Sequence, residues 1–325
     1  MRSLISCALA VLVLGHLDGA SIAADPQNAQ RQRGSTALCG DVLGVQVLLD
    51  RNRFSPGEID GTFGPNTRRA LAAFQEQNKL PISGQLDCPS WEALGSGSPD
   101  PVTTTYEITA ADVQGPFAEN IPPDIEKQAS LPALRYRSVV ELVGERFHAS
   151  PALLRRLNPK SNFAAGASIT VPAVEPFDVS AKPAPDASAA GMKIEVLQAD
   201  SSLRVLNADG SLAWFAPVTM GSEHDPLPIG DWKVTSVSWM PSFRYNPNLF
   251  WDANPEHKGA IIKPGPNNPV GVVWIDITVE HYGLHGTPEP GRVGHTASHG
   301  CVRLTNWDAA RLATIARSGM AVTFR

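Results

Sequence analysis

The sequence predicts a multi-domain chain: a small all-α N-terminal domain, a small α+β unit, and a mainly-β domain with a mixed sheet and one C-terminal helix. Three observations carry this. Apolar residues recur at helical spacing between residues 38 and 94, whereas from Lys193 the period switches to two. Stretches rich in Gly, Ser, Pro and Ala, at 95–101 and 175–191, separate the segments. Glycine (27) and proline (28) are abundant and charged residues make up only 18%, which suits a turn-rich, β-heavy protein better than a helical bundle.

At 325 residues the chain has room for two or three domains, and a hydrophobic share of 42% supports packed cores. A net charge of −5 argues against nucleic-acid and anionic-membrane partners, which need a basic face. Met1 to Ala24 reads as a secretory signal: Arg2 supplies the positive start, Ile5 to Leu14 the apolar segment, and Ser21-Ile22-Ala23-Ala24 the small residues for cleavage. The apolar run is too short to span a bilayer, so no integral membrane segment is expected after cleavage. Export to an oxidising compartment makes sense of the cysteines. Cys39 and Cys88 bracket one small unit and are expected to pair, which leaves Cys301 free.

The first domain is placed at 37–95. A helix opens near Asp41 with Val42, Val45, Leu48 and Leu49 on one face. Asp60-Gly61 marks a turn, Pro65 suits a first helical position, and Ala70, Leu71 and Phe74 point inward from the next helix. The run Asp-Gly-Thr-Phe-Gly-Pro-Asn-Thr-Arg-Arg-Ala-Leu-Ala-Ala-Phe-Gln at 60–75 is similar to the small three-helix peptidoglycan-binding domain. Residues 102–134 are ambiguous, with Pro116, Pro122 and Pro123 forbidding a long helix. A second unit is placed at 131–174. Ser138-Val-Val-Glu141 is a capping box, Ser150-Pro151 starts another helix, and Ile169 to Pro172 reads as a strand. With its Leu-Asn-Pro and Ile-x-Val-Pro endings this unit resembles a LysM module, although the opening strand of that family is poorly matched.

Residues 175–191 read as a linker, and the last domain is placed at 192–325. Strands are expected at Lys193 to Leu197, Leu203 to Leu206 and Leu212 to Phe215, the last two joined by the hairpin signal Asn207-Ala208-Asp209-Gly210. Trp239 to Pro269, rich in proline and aromatics, reads as a lid or substrate groove, because so long a loop inside a compact domain is usually functional. Trp274 to Ile277 and Tyr282 to Leu284 are strands, and Asn306 to Ser318 is an amphipathic helix with Leu312 and Ile315 inward.

The chemistry lies between His285 and Arg303. That run sets Cys301 among His285, His295 and His299, with glycines whose amides can face an oxyanion. The residue types alone leave three readings open: a thiolate nucleophile with a base beside it, an unreactive buried thiol, or a zinc site from His295, His299 and Cys301. His-Gly-Thr followed after a short loop by Ser-His-Gly-Cys-Val-Arg resembles the signature of L,D-transpeptidase catalytic domains, over roughly the last 130 residues. The resemblance implies that Cys301 is the nucleophile and His285 the general base. It implies further that Ser298, His299 and Gly300 support the loop or the oxyanion, and that Gly286, Thr287 and Arg303 meet substrate. Arg292 joins Arg303 as a candidate to hold a substrate carboxylate.

The expected function is therefore an exported cysteine acyltransferase of the periplasm or cell envelope, acting on peptidoglycan stem peptides and glycan strands, with no cofactor and no metal. Cys301 would form a thioester on a tetrapeptide stem and pass the acyl group to an amine. The acceptor stays open: a second stem, a wall-attached protein, or water, which would make the same site a carboxypeptidase. A wall-binding protein with little catalysis is the remaining alternative.

Overall fold

The fold was obtained as a computed structural model, and the structure describes residues 39–98 and 100–325. The expected signal sequence, Met1 to Ala24, lies outside the described residues. Helix α1 (Val42–Arg51) starts where the Asp41 carboxylate accepts from the Gly44 N–H at 2.8 Å, and α2 (Pro65–Gln77) starts on its proline. The short α3 (Cys88–Ala93) begins at Cys88, which is bonded to Cys39. Val45, Leu48, Leu49, Ala70, Leu71 and Phe74 form the core between them. Phe215 of the C-terminal domain completes that core, so the helical domain closes its interior on a neighbour.

The second unit begins earlier than residue 131. Strand β1 (Thr103–Glu107) pairs antiparallel with β2 (Ser168–Pro172), from Thr103 opposite Pro172 to Glu107 opposite Ser168. Between them run α4 (Ala110–Gln114), α5 (Ile125–Gln128), α6 (Val139–Arg146) and α7 (Pro151–Leu157). The opening strand has no alternating apolar pattern, since Thr-Thr-Thr-Tyr-Glu is exposed or half-buried throughout. Pairing with β2, not side-chain burial, makes it a strand. The unit shares its core with Val47 and Ile59 of the helical domain.

The C-terminal domain is an eight-stranded mixed sheet. Its strands are β3 (Lys193–Leu197), β4 (Ser202–Leu206), β5 (Leu212–Pro217), β6 (Gly230–Trp239), β9 (Val273–Ile277), β10 (Gly283–His285), β11 (Val302–Arg303) and β12 (Ala321–Phe324), in the order β11-β10-β9-β6-β12-β3-β4-β5. The pairs β10/β11 and β12/β3 are parallel and the others antiparallel. Helix α8 (Asn306–Ile315) covers the sheet with Leu312 and Ile315 buried. The expected lid is not one irregular loop: β7 (Phe243–Tyr245) and β8 (Ala260–Ile262) form a hairpin within it.

The segment read as a linker is tied down. The Asp186 N–H donates to the Thr314 carbonyl at 2.8 Å, the Arg317 guanidinium donates to the Asp186 carbonyl, and Ala189 is buried. The segment forms only one short 3-10 turn, Ala187–Ala189, yet stays on the domain surface. Among the described residues no helix is long and apolar enough to cross a membrane.

Candidate active site

Strand register assembles the site. Leu284 lies opposite Val302 and His285 opposite Arg303 in the parallel pair β10/β11. Leu284 and Val302 are fully buried in the core, so the alternation of a strand sends His285 and Arg303 to the other face. One step back along the same register, Gly283 comes beside Cys301, and its N–H bonds the thiol. The Cys301 Sγ also lies 3.7 Å from the His281 carbonyl.

The turn that presents Cys301 is held from within. Ser298 is buried; its hydroxyl donates to the Cys301 carbonyl at 2.6 Å and its N–H to the Gly221 carbonyl at 3.2 Å. Gly300 has φ +95, and a Cβ there would meet the Tyr282 ring at 2.4 Å. Both the backbone angle and the packing require glycine at this position.

His285 is almost fully buried, at 3% exposure. Its Nδ1 is 2.7 Å from the Gly286 carbonyl, and its ring stacks on Trp274, 5.4 Å between centroids at 19°. A carbonyl can only accept, so the proton sits on Nδ1 and Nε2 carries the basic lone pair. Burial, and then the nearby Arg303 guanidinium, push the imidazole down to about 3, against the pull of the Gly286 carbonyl. Burial pushes the Cys301 thiol up, with the Gly283 N–H and Arg303 acting in the opposite direction. Both shifts favour the uncharged forms, thiol and imidazole, because a dry pocket beside a guanidinium disfavours the imidazolium.

Arg303 is half-buried, its Nε is buried with no hydrogen-bond partner among the described residues, and desolvation lowers its proton affinity. It lines a cavity of about 80 Å³ with Thr219, Thr287, Glu289, Arg292 and Thr296. Thr287 is buried, and its hydroxyl accepts from the Glu289 N–H at 3.3 Å. Arg292 faces Glu289 at 3.4 Å in an exposed ion pair.

His299 is engaged elsewhere. Its Nε2 is 2.8 Å from the Asp252 carboxylate, and its ring touches Phe250 and Trp251 at 5.1 and 6.3 Å between centroids. The partners of His299 belong to the lid. The tip reaches the domain a second time where Trp251, 60% exposed, stacks on His224 at 4.2 Å. From behind, Glu126 of α5 accepts from the Lys258 and Gly259 N–H groups at 2.6 and 2.8 Å. The three residues weighed as zinc ligands do not come together. His295 is beside Asn66 at 3.4 Å, His299 is on Asp252, and among the described residues no group of three or more His, Cys, Asp or Glu is placed to hold a metal.

The helical domain touches the same site. Asn66 Nδ2 donates to the Val293 carbonyl at 2.8 Å and Arg69 to the Gly294 carbonyl at 3.1 Å. Residues from the Asn-Thr-Arg-Arg run of α2 therefore clamp the loop between His285 and Cys301. Trp274, Asp252 and Asn66 were not singled out from the sequence as site residues. Only Trp274 carried a signal, as a large aromatic on the strand that pairs with β10.

Residues 192–323 match the family model of the L,D-transpeptidase catalytic domain, and residues 40–94 match that of a peptidoglycan binding domain. The chain is similar to YkuD of Bacillus licheniformis, named as an L,D-transpeptidase: 39% identical over 61 residues, which is 19% of this chain and 37% of that protein. It is also similar to YbiS of Escherichia coli K12, likewise named, at 32% over 98 residues, 28% of this chain and 31% of that one. Among solved structures, an L,D-transpeptidase from Mycobacterium smegmatis aligns at 17% identity with a TM-score of 0.34, over 42% of this chain and 58% of the other. The chain spans 37% and 35% of the length of the first two curated relatives, the YkuD proteins of Bacillus licheniformis and Bacillus subtilis. It thus carries an L,D-transpeptidase catalytic domain and a peptidoglycan-binding domain.

Proposed function

We propose that this chain is an exported cysteine acyltransferase that performs L,D-transpeptidation on peptidoglycan stem peptides in the periplasm or cell envelope. The observation that carries the proposal is the His285–Cys301–Arg303 arrangement across β10 and β11, inside a matched L,D-transpeptidase domain. Cys301 Sγ bonds to the carbonyl carbon of the diamino acid in a tetrapeptide stem while its proton passes to His285 Nε2. The bond to terminal D-Ala then breaks, the proton moves from His285 to the leaving amine, and a thioester remains. An acceptor amine attacks the thioester, loses its proton to His285, and releases the thiol.

A neutral imidazole suits this sequence, because His285 must be unprotonated to take the thiol proton. Amides around Gly300 and Cys301 would hold the oxyanion. Arg303, with Thr287 in the wall of its cavity, would hold a substrate carboxylate, with Gly286 next along the chain; its unpartnered Nε supports that role. His299 is read as a tie between the lid and the cysteine turn rather than an oxyanion donor. The helical domain would bind wall polymer. The antiparallel pair β1/β2 enclosing the two longer helices α6 and α7, with the short α4 and α5 before them, supports a LysM-like reading, with glycan as its ligand. Export rests on the pattern of Met1 to Ala24 and on the Cys39–Cys88 bond.

The test is incubation of the purified full chain with wall fragments and identification of products by mass. Cross-linked stems and an acyl adduct on Cys301 are expected. Loss of D-Ala without any cross-link would assign water as acceptor and make the enzyme a carboxypeptidase. Turnover persisting in Cys301→Ala would overturn the mechanism.

A further inference from the structure

Asn306 opens α8 and is fully buried. Its Oδ1 accepts from the Val272 N–H at 3.1 Å, while its Nδ2 donates to the Pro266 carbonyl at 3.0 Å and to a Glu145 oxygen. Two glycines make room for it. A Cβ on Gly271 would meet Asn306 Oδ1 at 2.1 Å and the Gly286 carbonyl carbon at 2.5 Å, and a Cβ on Gly286 would meet the same Oδ1 at 2.2 Å. The Asn306 amide is therefore wedged against the peptide whose carbonyl accepts from His285 Nδ1 at 2.7 Å. That carbonyl decides which imidazole nitrogen keeps its proton, and hence which one is the base.

Glu145 comes from a different unit. It sits on α6 at 9% exposure and is also bonded by the Tyr136 hydroxyl. Glu58 of the helical domain and Glu141 of α6 face the same cavity, of about 130 Å³, with Asn267 and Trp307 in its wall. We propose that Asn306, held by Glu145 of the neighbouring unit, is a positioning residue for His285, so that docking of the second unit sets the orientation of the active-site base. The proposal rests on reading His285 as that base.

The chemistry of the contact is specific. Burial, reinforced by Glu141 and Glu58, pushes the Glu145 carboxyl up to about 8, so at neutral pH it is mainly the uncharged acid. An acid still offers a carbonyl oxygen to Asn306, and so does glutamine. Ionisation would place a charge in a buried cavity facing Glu58 and Glu141, opposed by the bonds that Tyr136 and Asn306 donate to it. A carboxylate is a stronger acceptor than the acid, so the bond from Asn306 is expected to tighten as Glu145 ionises.

The experiment compares Glu145→Gln, Glu145→Leu and Asn306→Ala in the full chain, by iodoacetamide alkylation of Cys301 from pH 6 to 10. Alkylation needs no transpeptidase substrate, so it reports on the relay even where stem cross-linking is absent. Removing a group that orients a catalytic ligand typically loses about 10- to 100-fold. Glu145→Leu and Asn306→Ala should lose that much in kcat for stem acylation with KM little changed, and both should displace the pH midpoint of alkylation. Glu145→Gln should match the wild type at neutral pH. Folded Glu145→Leu and Asn306→Ala proteins with wild-type alkylation profiles would overturn the proposal. If those two fail to fold, the ¹⁵N shifts of the His285 ring decide it in proteins that do: they should inflect near pH 8 in the wild type and lose that inflection in Glu145→Gln. Identical ring titrations in the two proteins would overturn it as well.

Discussion

The two sides of Cys301 are built differently. On one side His285 is clamped: it is buried, stacked on Trp274, tied to the Gly286 carbonyl and backed through Asn306 by another unit. On the other side His299 meets Asp252 across a hairpin tip, with side chains 28% and 48% exposed. The first arrangement is expensive to distort, because His285 and Asn306 are buried and hydrogen-bonded to buried backbone. The second is a solvent-reached side-chain contact of modest strength, compatible with a lid that opens and closes. A catalytic base needs a fixed lone pair, whereas a lid needs a contact that can be broken. The two histidines occupy positions suited to those opposite demands.

The sharpest way to break this comparison is to remove each histidine in turn. His285→Ala is expected to slow thioester formation on Cys301 by about 10²- to 10⁴-fold, the usual range for loss of a general base. His299→Ala should stay within about 10-fold of wild type, measured as acyl-enzyme accumulation by mass. If the two variants fall equally far, the division of roles is wrong. Next in size is the lid itself. Trimming residues 243–257 should raise the donor KM by about an order of magnitude while leaving the melting temperature close to that of the full chain, because the hairpin lies outside the main cores. Unchanged kinetics in the trimmed protein would make the hairpin a decoration.

A smaller effect is expected at the latch. Asp252→Asn should weaken donor binding by only about 2- to 5-fold, in line with ~0.2–1 kcal/mol for an exposed pair, and the wild-type advantage should shrink with added salt. A loss as large as that of the trimmed lid would mean that Asp252 touches substrate directly.

A change of another kind is expected in stability against pH. Burial raises three carboxyls where the units meet: Glu58 to about 7, Glu145 to about 8 and Asp308 to about 6. A carboxyl raised in the folded state binds more protons there than in the unfolded chain, so its contribution is present at low pH and is lost as pH rises through the folded value. The melting temperature should therefore decline from roughly pH 4.5 toward pH 8, and Glu58→Gln should flatten the decline below pH 7. A melting temperature that climbed across that window would reverse the sign and remove these carboxyls from the account.

Much of the molecule was legible in local pattern. Pro65 at a helix start, Ala70 and Phe74 facing inward and the capping residue Ser138 all depend on neighbours within a few positions. Short-range periodicity records such facts only when burial follows the pattern, and β1 shows the limit: its strand exists because β2 lies beside it, more than sixty residues later by sequence number. The tied-down segment at 175–191 shows the same limit, since contact with Thr314 and Arg317, not composition, holds it.

The reacting residues divide along the same line. Cys301, His285 and a glycine-rich turn could be singled out as candidates in one short run, their roles coming only from resemblance to a family signature, because reactivity and backbone freedom are properties of the residues themselves. The imidazole tautomer, the shifts toward uncharged thiol and imidazole, the lid contact of His299 and the reach of Glu145 to Asn306 could not. Each depends on which atoms burial brings together from distant parts of the chain, and on how far a dry environment shifts a proton, quantities that arise only when the sheet and the units packed on it close around the site.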